Sequence, residues 1–152
     1  MKLYRLSKTA YAGDLSGLGA MKFGGRWNSS GNPMVYTSES RALCMLELLV
    51  HLGRNELPPE MAFTILDIPD LRLNECLKPD VLPAGWNQYP FHHSSRRLGD
   101  TFLQQRKYLM LQVPSALVPE EYNFLINPLH PSFSEIRISR IQAFQFNERF
   151  FI

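Results

Sequence analysis

The segment from Ala12 to Pro33 constrains this chain more than any other, because it carries Gly13, Gly17, Gly19, Gly24, Gly25, Asn28, Gly31, Asn32 and Pro33. Glycine and asparagine at this density weaken regular structure and let backbone approach backbone, or a ligand, closely. The reading is an irregular loop rather than a helix. A sheet must then be built around it. Residues 2–6 form a short strand candidate before the loop, and residues 34–37 form one after it, ending at Ser38, a residue type suited to capping a helix. Residues 39–52 are strong helix formers stopped by Gly53. Further strands are expected over 61–68, 108–113 and 124–126, and a second helix over 95–107, with loop over 69–94. The tail, 135–151, alternates through Ile136, Ile138, Ile141, Phe144 and Phe146 and closes the sheet. The sum is an α+β protein, a single domain over residues 1–152 with short strands, two helices and long loops.

With 152 residues, 45% of them apolar and 20% charged, the chain has a composition that excludes disorder and supports a real core. No 18-residue uncharged apolar run exists, since the best stretch, 42–52, is interrupted by Glu47 and followed by Arg54. A net charge of +2 is too mild to argue for direct nucleic-acid binding. Cys44 and Cys76 make neither a disulfide framework nor a zinc spacing, and the N-terminus lacks the apolar stretch of a signal peptide. A cytoplasmic protein without membrane attachment is expected.

Among the residues suited to chemistry, Glu47 gives the sharpest signal. Leu43, Cys44, Met45, Leu46, Leu48, Leu49 and Val50 surround it, so its helix should be apolar on nearly every side and buried. A carboxylate there is costly unless paired or facing a cleft. One reading is a buried ion pair with Arg5 or Arg26. The other is a carboxylate aimed at a developing positive charge. Both predict an arginine neighbour.

The stretch 23–28 offers Arg26 as a planar fork for phosphate or carboxylate, beside Gly24 and Gly25. Trp27 is either a stacking face or a core anchor. Tyr36 is either a core ring or one that shares a cleft with Glu47, and Arg5 either a second anion clamp or half of a surface ion pair. Ser115 follows a strand end without the Gly-x-Ser-x-Gly elbow of a serine nucleophile. His51, His92, His93 and His130 show no metal-site pattern, and no metal is expected. The aromatic tail, with Phe144, Phe146, Phe150 and Phe151, either packs on its own core or forms a homo-oligomer contact.

The ordered set Tyr4-Arg5, 15–20, 24–28, 35–40, Leu46-Glu47, 98–101, 113–116 and 123–131 resembles the RES-domain proteins, toxins paired with an antitoxin that carries an Xre-like domain. The family's name-giving arginine, glutamate and serine fall here on Arg26, Glu47 and Ser115. The resemblance implies an ADP-ribosyltransferase-like split mixed β-sheet with flanking helices and NAD in its cleft. It implies breakdown of NAD at the nicotinamide–ribose bond, by phosphorolysis or hydrolysis, with protein ADP-ribosylation as the alternative. Catalytic positions would be Glu47, Arg26, Tyr36 and Ser115; Arg5, Arg26, Tyr36, Trp27 and Asn28 would bind NAD. Partners would be the antitoxin, phosphate where it serves as acceptor, and further copies of the chain within the complex. Transferases of this type often carry a second acid just before the catalytic glutamate, and Met45 stands two places before Glu47, which favours NAD degradation. Stretch 146–149, Phe-Asn-Glu-Arg, departs from the family's Asp-containing form. A non-catalytic binding module and a ribonuclease toxin are the remaining readings; no His/Glu/Lys set or basic groove supports the latter.

Overall fold

The computed structural model describes residues 1–52, 58, 60–69 and 74–151. Seven strands form one mixed sheet: β1 (Lys2–Lys8), β2 (Val35–Ser38), β3 (Met61–Asp67), β4 (Asn74–Cys76), β5 (Met110–Pro114), β6 (Tyr122–Ile126) and β7 (Arg137–Phe144). Their order is β4-β5-β6-β2-β1-β3-β7. All pairs are antiparallel except β4–β5. Among the described residues three α-helices flank the sheet: α1 (Leu18–Phe23), α2 (Arg41–Leu49) and α3 (His93–Gln105). The α+β expectation holds.

The sheet is joined at its middle by very little. β1 pairs with β3 along all seven residues, and β2 pairs with β6 along all four, yet β1 and β2 share only Tyr4 opposite Ser38. Beyond that pair the strands part and leave a wedge. On one face of the sheet, Leu3, Val35, Leu66 and Ile126 form a core. On the other, Leu6, Phe63 and Cys44 form a second, while Trp27, Leu103, Leu111 and Leu125 form a third beneath α3. β3 is apolar but for Thr64 and the terminal Asp67, because it lies between β1 and β7 and is buried along nearly its whole length.

Two elements lie where loop was expected. α1 occupies part of the glycine-dense segment, and left-handed glycines bound it: Gly17 (φ 74°) before and Gly24 (φ 70°) after. These glycines are helix punctuation, so their density marks ends rather than absence of a helix. β4 arises within 69–94 by parallel pairing with β5, a contact no local pattern announces. The helix before Gly53 ends at Leu49 with Val50 as its C-cap, and Gly53 itself lies outside the described residues. Its N-cap is Ser40, whose hydroxyl accepts from Leu43 N at 3.1 Å, not Ser38, which remains in the strand.

α2 is also less enclosed than its composition suggests. Leu43 and Cys44 are buried, but Leu46 and Val50 are 38% and 58% exposed, so the helix packs one face and leaves the other open. Part of the aromatic tail packs on its own core: Phe144 lies edge-on against Phe63 at 4.9 Å and against Phe146 at 5.0 Å, and Phe146 is buried, whereas Phe150 is 50% exposed. No described helix is long and apolar enough to cross a membrane.

Candidate active site

Glu47 stands on α2 one turn before His51, half-buried, and its Oε1 accepts two hydrogen bonds. Ser115 Oγ donates at 2.9 Å and Asn123 Nδ2 at 2.6 Å. Both donors are themselves fixed. The Ser115 hydroxyl oxygen accepts from Leu117 N and Val118 N, each at 3.1 Å, in the turn that leaves β5. Asn123 Oδ1, on β6, accepts from Ser38 Oγ at 2.6 Å across the β2–β6 pair. Strand, strand and helix therefore converge on one carboxylate oxygen. The other oxygen, Oε2, has no hydrogen-bond partner among the described residues.

Neither arginine pairs with Glu47 directly. Among the described residues the one ion pair is Lys2–Asp67, on the surface. The ion-pair reading thus fails; neutral donors hold the carboxylate instead, and Arg26 is a neighbour close enough for the two charges to act on each other. Burial pushes the Arg26 guanidinium below its ordinary value, and the field of Glu47 partly opposes this. Arg26 Nη1 donates to the carbonyls of Trp86 (2.7 Å) and Gln88 (2.9 Å), and its guanidinium lies 4.9 Å from the centre of the Phe91 ring.

Tyr36 links this region to the glycine-rich loop. Its hydroxyl donates to Asn28 Oδ1 at 2.7 Å and accepts from Trp27 N at 3.1 Å. Burial raises the phenol above its usual range, so it stays protonated and keeps both bonds. Asn28 is wholly buried, and its Nδ2 donates to the carbonyls of Ala20 and Asn32. Trp27 is 3% exposed and lies against Trp86, ring centres 6.0 Å apart. These two side chains hold the loop in place from within.

Helix α3 supports the same loop from behind. Asp100 accepts from Ser29 N, Ser29 Oγ and Asn32 Nδ2 at 2.9, 2.6 and 2.8 Å. Arg96 Nε donates to the Gly25 carbonyl at 2.8 Å. Between them Gly99 lets the helix touch the loop, since a Cβ there would fall 1.6 Å from the Trp27 carbonyl oxygen. Asn123, Arg96 and Asp100 were not among the expected site residues. An asparagine inside an otherwise apolar strand is the signal that could have found Asn123.

Arg5 is placed apart from Glu47. It lies in the wedge between β1 and β2, a cleft of about 200 Å³ that Tyr36 and Gly17 also line, and its Nη1 donates to the Tyr11 carbonyl at 3.0 Å. Burial lowers its affinity for a proton, and Asp14 is the main opposing charge. A larger cavity of about 500 Å³, between α3 and residues 75–83, contains none of the expected site residues. Of the two, the smaller cleft is the one lined by expected site residues, Arg5 and Tyr36, both of which burial shifts. No cluster of three or more metal-ligating side chains occurs among the described residues.

The model of the RES domain family matches residues 2–147. The chain belongs to the RES domain family. RES-domain relatives are similar along almost its whole length. One named Prs ADP-ribosylating toxin, from Sphingobium sp., is 39% identical over 145 residues, covering 94% of this chain and 90% of its own. One named Toxin Res, from Pseudomonas putida, is 39% identical over 154 residues, covering 99% and 100%. The fold is similar to a chain in the crystal structure of the MbcT–MbcA toxin–antitoxin complex of M. tuberculosis. There the TM-score is 0.70 at 21% identity, covering 95% of this chain and 81% of that one.

Proposed function

We propose that this RES-domain protein is the toxin of a toxin–antitoxin pair and consumes NAD by breaking the bond between nicotinamide and ribose. The observation that carries the reading is the Glu47 carboxylate, oriented through one oxygen by Ser115 and Asn123, with no partner for the second among the described residues. Departure of nicotinamide leaves positive charge on the ribose, as in glycoside cleavage, and nicotinamide leaves as a neutral base that needs no strong acid. A fixed carboxylate beside that charge lowers the barrier without reorganising. Ser115 and Asn123 are positioning residues in this scheme, whereas Glu47 touches the reacting sugar.

Arg26 holds a phosphate of the dinucleotide, anchored in direction by the carbonyls of Trp86 and Gln88. The Tyr36 ring, locked by its hydroxyl, offers a face to nicotinamide, and a dinucleotide crossing it meets Arg5 in the wedge beyond. Trp27 and Asn28 serve NAD indirectly, by shaping the loop. The bond breaks between ribose C1′ and the pyridinium nitrogen, whose electron pair leaves with nicotinamide. The oxygen of water or of inorganic phosphate then bonds to C1′, and water's proton leaves to solvent. Such a reaction takes place where NAD is held, in the cytoplasm, and an antitoxin with an Xre-like domain restrains it.

ADP-ribosylation of a protein is the second reading, favoured by the name of the Sphingobium relative. Met45, where a second acid would stand, packs on the Leu6–Phe63 core, which favours simple NAD breakdown. Purified protein incubated with NAD, with and without phosphate, should release nicotinamide. The mass of the other product separates ADP-ribose, its 1″-phosphate and a protein adduct. Undiminished NAD under all three conditions, including added candidate protein acceptors, would remove the enzyme reading.

A further inference from the structure

Two arginines share one aromatic ring at this site. Phe91 carries Arg26 at 4.9 Å and Arg96 at 5.8 Å, measured from guanidinium carbon to ring centre. His51 meets the same ring edge-on at 6.4 Å, so Phe91 lies beside the end of α2, one turn beyond Glu47. Each guanidinium is anchored through one nitrogen and by carbonyl oxygens alone: Arg26 by Trp86 and Gln88, Arg96 by Gly25. The Gly25 carbonyl belongs to the peptide that joins Gly25 to Arg26, so both cations are tied to one stretch of backbone.

A carboxylate partner would have neutralised either charge. Carbonyls fix the direction of a guanidinium and leave its charge whole. Among the described residues no carboxylate lies within ion-pair distance of Arg26 or Arg96, and the remaining guanidinium N–H groups make no hydrogen bond. Two preorganised, uncompensated forks beside a carboxylate that repels anions from its own position define where an anion will bind.

We propose that Arg96 and Arg26 form a clamp for a phosphate oxyanion over Phe91, with Arg96 as a binding residue in its own right rather than only a support for the loop. Which phosphate arrives there rests on the NAD-cleaving reading: it is either the diphosphate of the dinucleotide or the inorganic phosphate that accepts the sugar. Both present the same oxygens to the same forks. The guanidinium of Arg26, which burial disfavours in the absence of an anion, is relieved when one binds.

The test is equilibrium binding of three ligands to the wild type, Arg96→Gln and Arg96→Lys: ADP-ribose, inorganic phosphate and nicotinamide riboside, which carries no phosphate. Loss of a charge-assisted pair is expected to weaken an anion about tenfold or more. Weakening confined to ADP-ribose assigns the clamp to the dinucleotide. Weakening confined to inorganic phosphate assigns it to the acceptor, and weakening of both with riboside unchanged shows a clamp common to the two. Equal weakening of all three, riboside included, makes Arg96 merely a loop support and overturns the proposal, as does unchanged affinity for both anions. A partial rescue of anion binding by Arg96→Lys over Arg96→Gln is the matching sign of charge. Because these are binding measurements, a wild type that never consumes NAD would defeat the reading of function without deciding the clamp.

Discussion

Replacing Glu47 with glutamine separates charge from structure at the centre of the site. Glutamine has the same shape, and its Oε1 can accept from Ser115 and Asn123 as the carboxylate does. The fold should lose only the charge assistance of those two bonds, about 1–2 kcal/mol, offset by easier burial of a neutral group. A Tm within roughly 5 °C of the wild type is expected. Catalysis should respond very differently. At an effective dielectric of about 20, suited to a half-buried group, a unit charge about 4 Å from the sugar's developing cation is worth about 4 kcal/mol. That corresponds to a loss of roughly 1,000-fold in kcat for nicotinamide release, with KM little changed. The assay is nicotinamide release at saturating NAD, run beside thermal unfolding of the same preparation. A folded Glu47→Gln protein whose kcat stays within about threefold of the wild type would refute the electrostatic role. An unfolded one would show that the carboxylate is needed for packing.

Three further outcomes follow from the loop and the core. Asp100→Ala removes acceptors for Ser29 N, Ser29 Oγ and Asn32 Nδ2 and should raise KM for NAD about tenfold. Asp100→Asn, which can accept twice through Oδ1 and donate to Ser29 Oγ, should stay near the wild type in steady-state kinetics. Gly99→Ala drives a methyl into the Trp27 carbonyl and should destabilise by about 3 kcal/mol or more in urea unfolding, and a wild-type midpoint would contradict the packing. Burial pushes the Cys44 thiol up to about 12 from an ordinary 9.0, so the unfolded chain gives up this proton first as pH rises. Its contribution is whole below pH 9 and should be lost at about 1.4 kcal/mol per pH unit above it, toward pH 12. Unfolding midpoints at pH 8 and 10.5, compared with those of Cys44→Ala, measure the slope, and identical slopes would exclude Cys44 as its source.

The strands were legible where sequence and burial share a period. β1, β2, β3, β5 and β6 each lie within two residues of their apolar stretches, because the core selects those residues locally. The tail was read at its right place, although β7 is shorter than the alternating stretch. β4 was not legible, since its pairing with β5 depends on a distant partner rather than its own residues. α1 was misread for a different reason: the same glycines serve a loop and the two ends of a one-and-a-half-turn helix. In the site, Glu47 stood out because an acid in an apolar run demands explanation, and Ser115 followed from the family resemblance. The supports were hidden. Asn123, Arg96 and Asp100 act through contacts spanning 76, 71 and 71 residues of sequence, and no spacing rule reaches that far.

Among the described residues Glu47 makes no ion pair, the one of its two expected arrangements that the structure does not form. Stability alone would favour such a pair once both charges are buried, because an unneutralised charge away from water is expensive. Here every charged group of the site is held by neutral partners instead. Ser115 and Asn123 hold Glu47, backbone carbonyls hold Arg26 and Arg96, and the Tyr11 carbonyl with the Ser7 hydroxyl holds Arg5. The Lys2–Asp67 pair, by contrast, is half-exposed at the start of β1. Neutral anchors fix geometry without cancelling field, so in the proposed reaction the anion and the developing cation of the substrate would meet charges already aimed and not yet answered. An arginine engineered to reach Glu47, by this logic, would make the protein more stable and the site less able to act on a positively charged sugar.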